Sequence, residues 1–203
     1  MDTPVQFQAL EQTALAPPVR RALRDDSAEL VDRHVTSASG GVGAFLGLSD
    51  VYRVSGNALQ HGKVVPWSLV LKVFHMPADD ADPSAWCYWK RELLAYQSGL
   101  LAALPGGIEA PRCFGAVQHP GGDSWLWLEH IQDDASGPWP LSRFASAARR
   151  LGAFSGAYLV GRPLPSYRWL SSGWFRSRVT DSAPAIAEFP SVLSHPLVSR
   201  AYP

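Results

Sequence analysis

Trp67-Ser68-Leu69-Val70-Leu71-Lys72-Val73-Phe74 is an apolar run broken by a single charge, and its reading decides the fold. Its β-branched and aromatic residues favour a strand. Strand side chains alternate between two faces, so Lys72 shares its side of the pleat with Val70 and Phe74. Taken alone, Lys72 reads as an edge-strand lysine with its tip in water. The next helical stretch changes that balance, because Glu92 shares a helix face with Trp89, Leu93 and Tyr96. A carboxylate beside an apolar stripe that faces a sheet is costly unless paired. Lys72 is its natural partner, since the adjacent Lys90 and Arg91 point to other sides of the helix.

Upstream, residues 35–39, the glycine turn Gly40-Gly41-Val42-Gly43 and residues 48–54 read as strand, turn, strand. Turn residues at 55–57 and 60–63 lead into the 67–74 strand, giving three antiparallel strands. Before them, Pro18 to Leu30 predicts a helix, with Val19, Leu23 and Leu30 at helical spacing, packed on the outside of these strands. Downstream, Asp82 is a candidate N-cap and Pro83 a first helical residue. That helix runs through Trp86, Trp89, Leu93, Tyr96 and Leu100 and stops at Leu104-Pro105-Gly106-Gly107. Residues 108–117 and 125–131 are two more strands, joined by the turn at 119–123. The polar, proline-containing stretch 133–140 precedes a helix over 141–159, striped by Phe144, Ala147, Ala148, Leu151 and Tyr158. A short helix is expected at 172–179. The resulting order predicts an α+β chain with a helical extension (1–34), a lobe of five antiparallel strands and a helix (35–132), and a linker with the mostly helical start of a second lobe (133–203).

Composition removes several function classes. With 18 basic and 18 acidic residues among 203, the chain has no net charge to draw it to nucleic acid. No secretory leader pattern and no apolar run of about 18 residues is present, so no membrane segment is expected and a cytoplasmic location is. Cys87 and Cys113 are too few for a disulfide framework or a zinc site and read as packing residues. There is no G-x-S-x-G, no H-E-x-x-H and no Walker A loop. Asp79, Asp80 and Asp82 read as a solvated linker rather than a metal loop, as do Asp133 and Asp134, whose other reading is a contact to a cationic substrate.

What remains fits a nucleoside triphosphate, which needs a backbone cover over its phosphates, a cation beside them and an acid to fix that cation. Gly40, Gly41 and Gly43 let the backbone approach phosphate oxygens, although an ordinary hairpin turn explains them equally well. Their spacing is not G-x-G-x-x-G, because Leu46 stands where the last glycine would be. Lys72 is the cation, in the form of a kinase third-strand lysine, and Glu92 is the acid. Trp125 to Leu128 ends in the polar segment Glu129, His130 and Ile131, whose backbone groups could dock a base edge; a plain core strand is the other reading.

In this order, Gly-Leu-Ser-Asp-Val-Tyr-Arg-Val-Ser-Gly (47–56), Trp-Ser-Leu-Val-Leu-Lys-Val (67–73), Trp-Lys-Arg-Glu (89–92) and Trp-Leu-Trp-Leu-Glu (125–129) resemble the N-terminal lobe of aminoglycoside-phosphotransferase-family proteins. The stretch 151–165 is similar to the first long helix of their second lobe. The resemblance implies a protein-kinase-like bilobal fold that transfers the γ-phosphate of ATP, with Mg2+, to a hydroxyl of a small molecule. That family's catalytic loop is His-x-Asp-x-x-x-x-Asn. Here His34, His61, His75, His119, His130 and His195 are followed two residues on by Thr36, Lys63, Pro77, Gly121, Gln132 and Leu197. The expectation is therefore an ATP-dependent phosphotransferase present as a fragment, with a complete first lobe, a truncated second one, and neither a catalytic base nor a metal ligand to name. The alternative expectation is a nucleotide-binding or interaction module without catalysis.

Overall fold

The computed structural model describes residues 12–38, 48–77, 82–85, 87–132, 137–171, 173–193, 196 and 200. The elements are α1 (Gln12–Leu23), β1 (Glu29–Leu30), β2 (His34–Ala38), β3 (Ser49–Gln60), β4 (Lys63–Phe74), α2 (Arg91–Gln97), a 3-10 turn (Leu100–Ala103), β5 (Cys113–Gln118), β6 (Ser124–Glu129), α3 (Leu141–Leu159) and α4 (Trp174–Leu193). The architecture is α+β. All strand pairs are antiparallel, in the order β1-β3-β4-β6-β5, with β2 also on β3. Because β1 pairs with Ala58 and Leu59 while β2 pairs with Val51 to Ser55, the two short strands share one edge of β3. The six strands thus fill five positions.

Alternation along β4 divides the core in two. Trp67, Leu69, Leu71 and Val73 face one side with Tyr52, Val54 and Trp127, and α1 closes that side with fully buried Leu15 and Val19. Val70 and Phe74 face the other side, where Leu126, Leu128 and Ala116 meet Leu93, Trp89 and Tyr96. Burying a Leu or Val side chain contributes about 1.5–3 kcal/mol each, so both faces of the sheet stabilise the fold.

Several boundaries differ from expectation. The first helix is Gln12–Leu23 rather than 18–30: Arg24 turns left-handed (φ 55°), and Leu30 lies in β1. Val19 therefore works with Leu15, four residues earlier, and not with Leu30. The helix expected from Pro83 onward is limited to Arg91–Gln97 and the 3-10 turn. Asp82 does not cap it; its carboxylate accepts the Ser84 N–H (3.0 Å) and hydroxyl (2.6 Å), closing a local turn. Gly99, at φ 75°, separates the helix from the 3-10 turn. β5 begins at Cys113 instead of 108, and β6 ends at Glu129 instead of 131. The last helix spans 20 residues, not eight. Cys87 and Cys113 are exposed, so neither is a packing residue.

The described residues fall into two compact units, one within Met1–Asp80 and Trp89–Leu164, the other within Ala81–Tyr88 and Pro165–Pro203. In the first, α3 is tied to the 103–107 turn: Arg150 donates to Gly107 O, Arg162 to Ala103 O (2.7 Å), and Gly106 (φ 76°) lies against the backbone of Arg150 and Phe154. In the second, Tyr167 stacks on Trp169 (4.9 Å, 15°) and Arg168 reaches Asp82 at 3.5 Å. Among the described residues, no helix is long and apolar enough to cross a membrane.

Candidate functional site

Lys72 leaves β4 on the α2 side of the sheet, directly opposite Leu126 of β6 and Val51 of β3. Its Nζ donates to Glu92 Oε1 at 2.6 Å. Glu92 is held by the packing of its own helix, since Trp89, Leu93 and Tyr96 lie against Phe74, Leu126 and Leu128. Lys90 is engaged elsewhere, donating to Gln118 Oε1 at 3.3 Å. The pair is less buried than an apolar-stripe argument requires: the Lys72 and Glu92 side chains are 28% and 40% exposed. Water and incoming ligands therefore reach it. Burial, and then the charge of the Glu92 carboxylate, push the Tyr96 phenol up to about 12.

The polar end of β6 divides between the two faces: Glu129 points to the α1 side with Leu69, and His130 follows it on the Lys72 side with Ser68. Glu129 is opposite Leu69 of β4, three residues from Lys72, or about 10 Å at strand rise. On the Lys72 side, Leu128 and Val70 form an apolar pair between Lys72 and the Ser68–His130 contact. Glu129 is not an open hinge residue. Arg112 donates to it from its guanidinium (2.7 Å) and its backbone N–H (3.2 Å), while Glu129 N–H donates to Arg112 O (2.8 Å). Those side-chain and backbone bonds hold the Glu129 carboxyl below the usual range. Ile131 is exposed.

His130 turns to the sheet. Its Nδ1 is 3.0 Å from Ser68 Oγ, and Ser68 accepts from Arg53 Nε at 3.3 Å. Burial, then the charge of Arg53, lowers the His130 pKa, so the ring is neutral at pH 7. A neutral ring accepts the Ser68 hydroxyl at Nδ1 and carries its proton on Nε2. Beside this relay lies a shallow cavity of about 460 Å3, lined on that face by Arg53, Ser55, Asn57, Pro66, Ser68 and Gln132. The face thus runs from a cation and its carboxylate, across apolar Val70 and Leu128, to the hydrogen-bonded Arg53, Ser68 and His130. It can neutralise an anionic group and seat a flat, half-apolar one.

Of the candidate residues, Lys72, Glu92 and His130 share this face, whereas Glu129 points to the α1 side with Leu69 and Ile131 lies exposed past the end of β6. Gly40, Gly41 and Gly43 lie outside the described residues, as do Asp79, Asp80, Asp133 and Asp134. Among the described residues, no group of three or more His, Cys, Asp or Glu side chains is arranged to hold a metal ion. Arg53 and Ser68 were not expected in the site, nor Arg112 beside Glu129. Ser68 was readable, because it lies two and four residues from Val70 and Lys72 and so shares their face; Arg112 was not, because its contact to Glu129 is set by the pairing of β5 with β6. No family profile matches this chain, and no curated protein and no solved structure is similar to it beyond chance.

Proposed function

We propose that this chain binds a nucleoside triphosphate, ATP, on the α2 side of its sheet, as the ATP lobe of an aminoglycoside-phosphotransferase-like, protein-kinase-like bilobal fold. The activity that this reading implies is phosphoryl transfer to a hydroxyl of a small molecule. The single observation that carries it is the Lys72–Glu92 ion pair, at 2.6 Å and open to solvent, on a face continuous with the end of β6. A strand-borne lysine held by a helix carboxylate is a fixed positive charge for the α and β phosphates. The separation of about 10 Å to Glu129 matches the reach from a nucleotide's phosphates to its base. Val70 and Leu128 would lie under the base, and backbone groups at 129–131 would meet its edge. Magnesium, which the reading implies, finds no three-ligand group among the described residues.

Calorimetric titration with ATP and Mg2+ tests the reading. Lys72→Met should weaken binding about tenfold to a hundredfold, the worth of a charge-assisted hydrogen bond, with thermal stability nearly unchanged. Glu92→Gln should give a smaller loss. Failure of ATP to bind, or equal affinity in Lys72→Met, overturns it.

A further inference from the structure

His75 lies just past the end of β4 and is not part of the nucleotide-binding face. Its Nε2 lies 2.9 Å from Asp50 Oδ2 and its Nδ1 3.3 Å from Asp123 Oδ2. Ionised carboxylates only accept hydrogen bonds, and a neutral imidazole has one N–H. Both contacts are satisfied together only by the imidazolium, which has two. Asp50 and Asp123 are also the charged groups that face the ring from the elements around it, β3 and the β5–β6 turn, with the Tyr52 phenol behind Asp50. Without the ring's charge, two carboxylates would converge on a neutral group.

The three groups join three separate elements. Asp50 is the second residue of β3, three residues after Gly47. The backbone N–H of His75 donates to Leu48 O at 3.0 Å. Asp123 closes the β5–β6 turn by accepting the His119 N–H at its carbonyl (2.8 Å), and Met76 packs on Gly122 of that turn. His75 therefore sits beside the start of β3.

We propose that His75 is a protonated clamp, a positioning residue that holds the start of β3 and the β5–β6 turn on the end of β4 and tightens nucleotide binding while it stays charged. Its consequence for binding rests on the ATP-binding function proposed for the α2 side; the clamp itself does not. Burial alone would lower the His75 pKa, but the hydrogen bonds and charges of Asp50 and Asp123 outweigh it and the pKa is raised above 6.5. A raised folded pKa contributes stability that is fully present below the unfolded value and is lost as pH rises through the folded one.

The test monitors the His75 ring by NMR from pH 5 to 9 in the full 203-residue chain, with amide protection factors at 48–51 and 75. The expected midpoint lies above 6.5, falls in Asp50→Asn and in Asp123→Asn, and coincides with loss of protection at those amides. ATP affinity should fall by about fivefold or more across the same transition and become flat in His75→Gln. A wild-type midpoint at or below 6.5, or a midpoint unmoved in both Asp variants, overturns the clamp. The Asp variants keep the test decisive if His75→Gln fails to fold. Should ATP bind at no pH, the nucleotide reading falls, while the ring titration and the protection factors still decide the clamp.

Discussion

Replacing Leu15 by Ala tests whether α1 is part of the core that carries the site. Leu15 is fully buried and lies with Val19 in the cluster formed by Tyr52, Leu69, Leu71 and Trp127. Removing its side-chain methyls forfeits transfer free energy and leaves a cavity that a paired sheet cannot collapse to fill. Leu→Ala at such sites costs about 2–5 kcal/mol, and a value near 3 kcal/mol is expected here. For a chain of this size that lowers Tm by about 6–12 °C. Calorimetry or circular dichroism melts would measure it, with Leu159→Ala as the control. Leu159 is 85% exposed at the end of α3, and its truncation should change stability by less than about 0.5 kcal/mol. Equal, small shifts for the two variants would show that α1 does not pack on the sheet and would refute the reasoning.

Three further outcomes are expected. Gly99 and Gly106 both have left-handed φ, but a Cβ at Gly99 meets nothing within 4 Å, whereas one at Gly106 would come within 2.6 Å of Phe154 N and 2.8 Å of Arg150 O. In urea titrations Gly99→Ala should cost about 1 kcal/mol, and Gly106→Ala about 2 kcal/mol more, because the backbone of α3 must move. Asp32 accepts from the Asn57 side chain and backbone, which lowers its pKa below 3.8. A depressed folded pKa contributes stability that is present above the unfolded value and is lost as pH falls through the folded one. Asp32→Asn should therefore lower the urea midpoint at pH 7 and converge with the parent near pH 2. Arg112→Ala should return the Glu129 carboxyl toward its ordinary value, visible by NMR, with little change in the urea midpoint, as for other exposed ion pairs.

Much of the sheet was legible because its signals are local. Period-two alternation in 67–74 assigns Lys72 and Val70 to one face without knowledge of the neighbours, and the register bears this out. The Lys72–Glu92 pairing was readable for the same reason: the two groups lie on consecutive elements, and each needs a partner. The edge strands were harder. Glu29–Leu30 is two residues long and owes its place to pairing with Ala58 and Leu59, which no local pattern announces. The helix expected from Pro83 is shorter in the structure because Asp82 serves a turn as readily as a helix start, and only its bonds to Ser84 tell which. His75 is unremarkable in sequence, since its two carboxylates lie 25 and 48 residues away.

The most direct test of the central claim is a crystal structure of the chain with a non-hydrolysable ATP analogue. The account predicts phosphate oxygens within hydrogen-bond distance of Lys72 Nζ, the base over Val70 and Leu128, and its edge on the backbone at 129–131. An analogue bound away from the α2 side of the sheet, or crystals grown at saturating analogue with the Lys72–Glu92 pair in contact with no nucleotide, would contradict it.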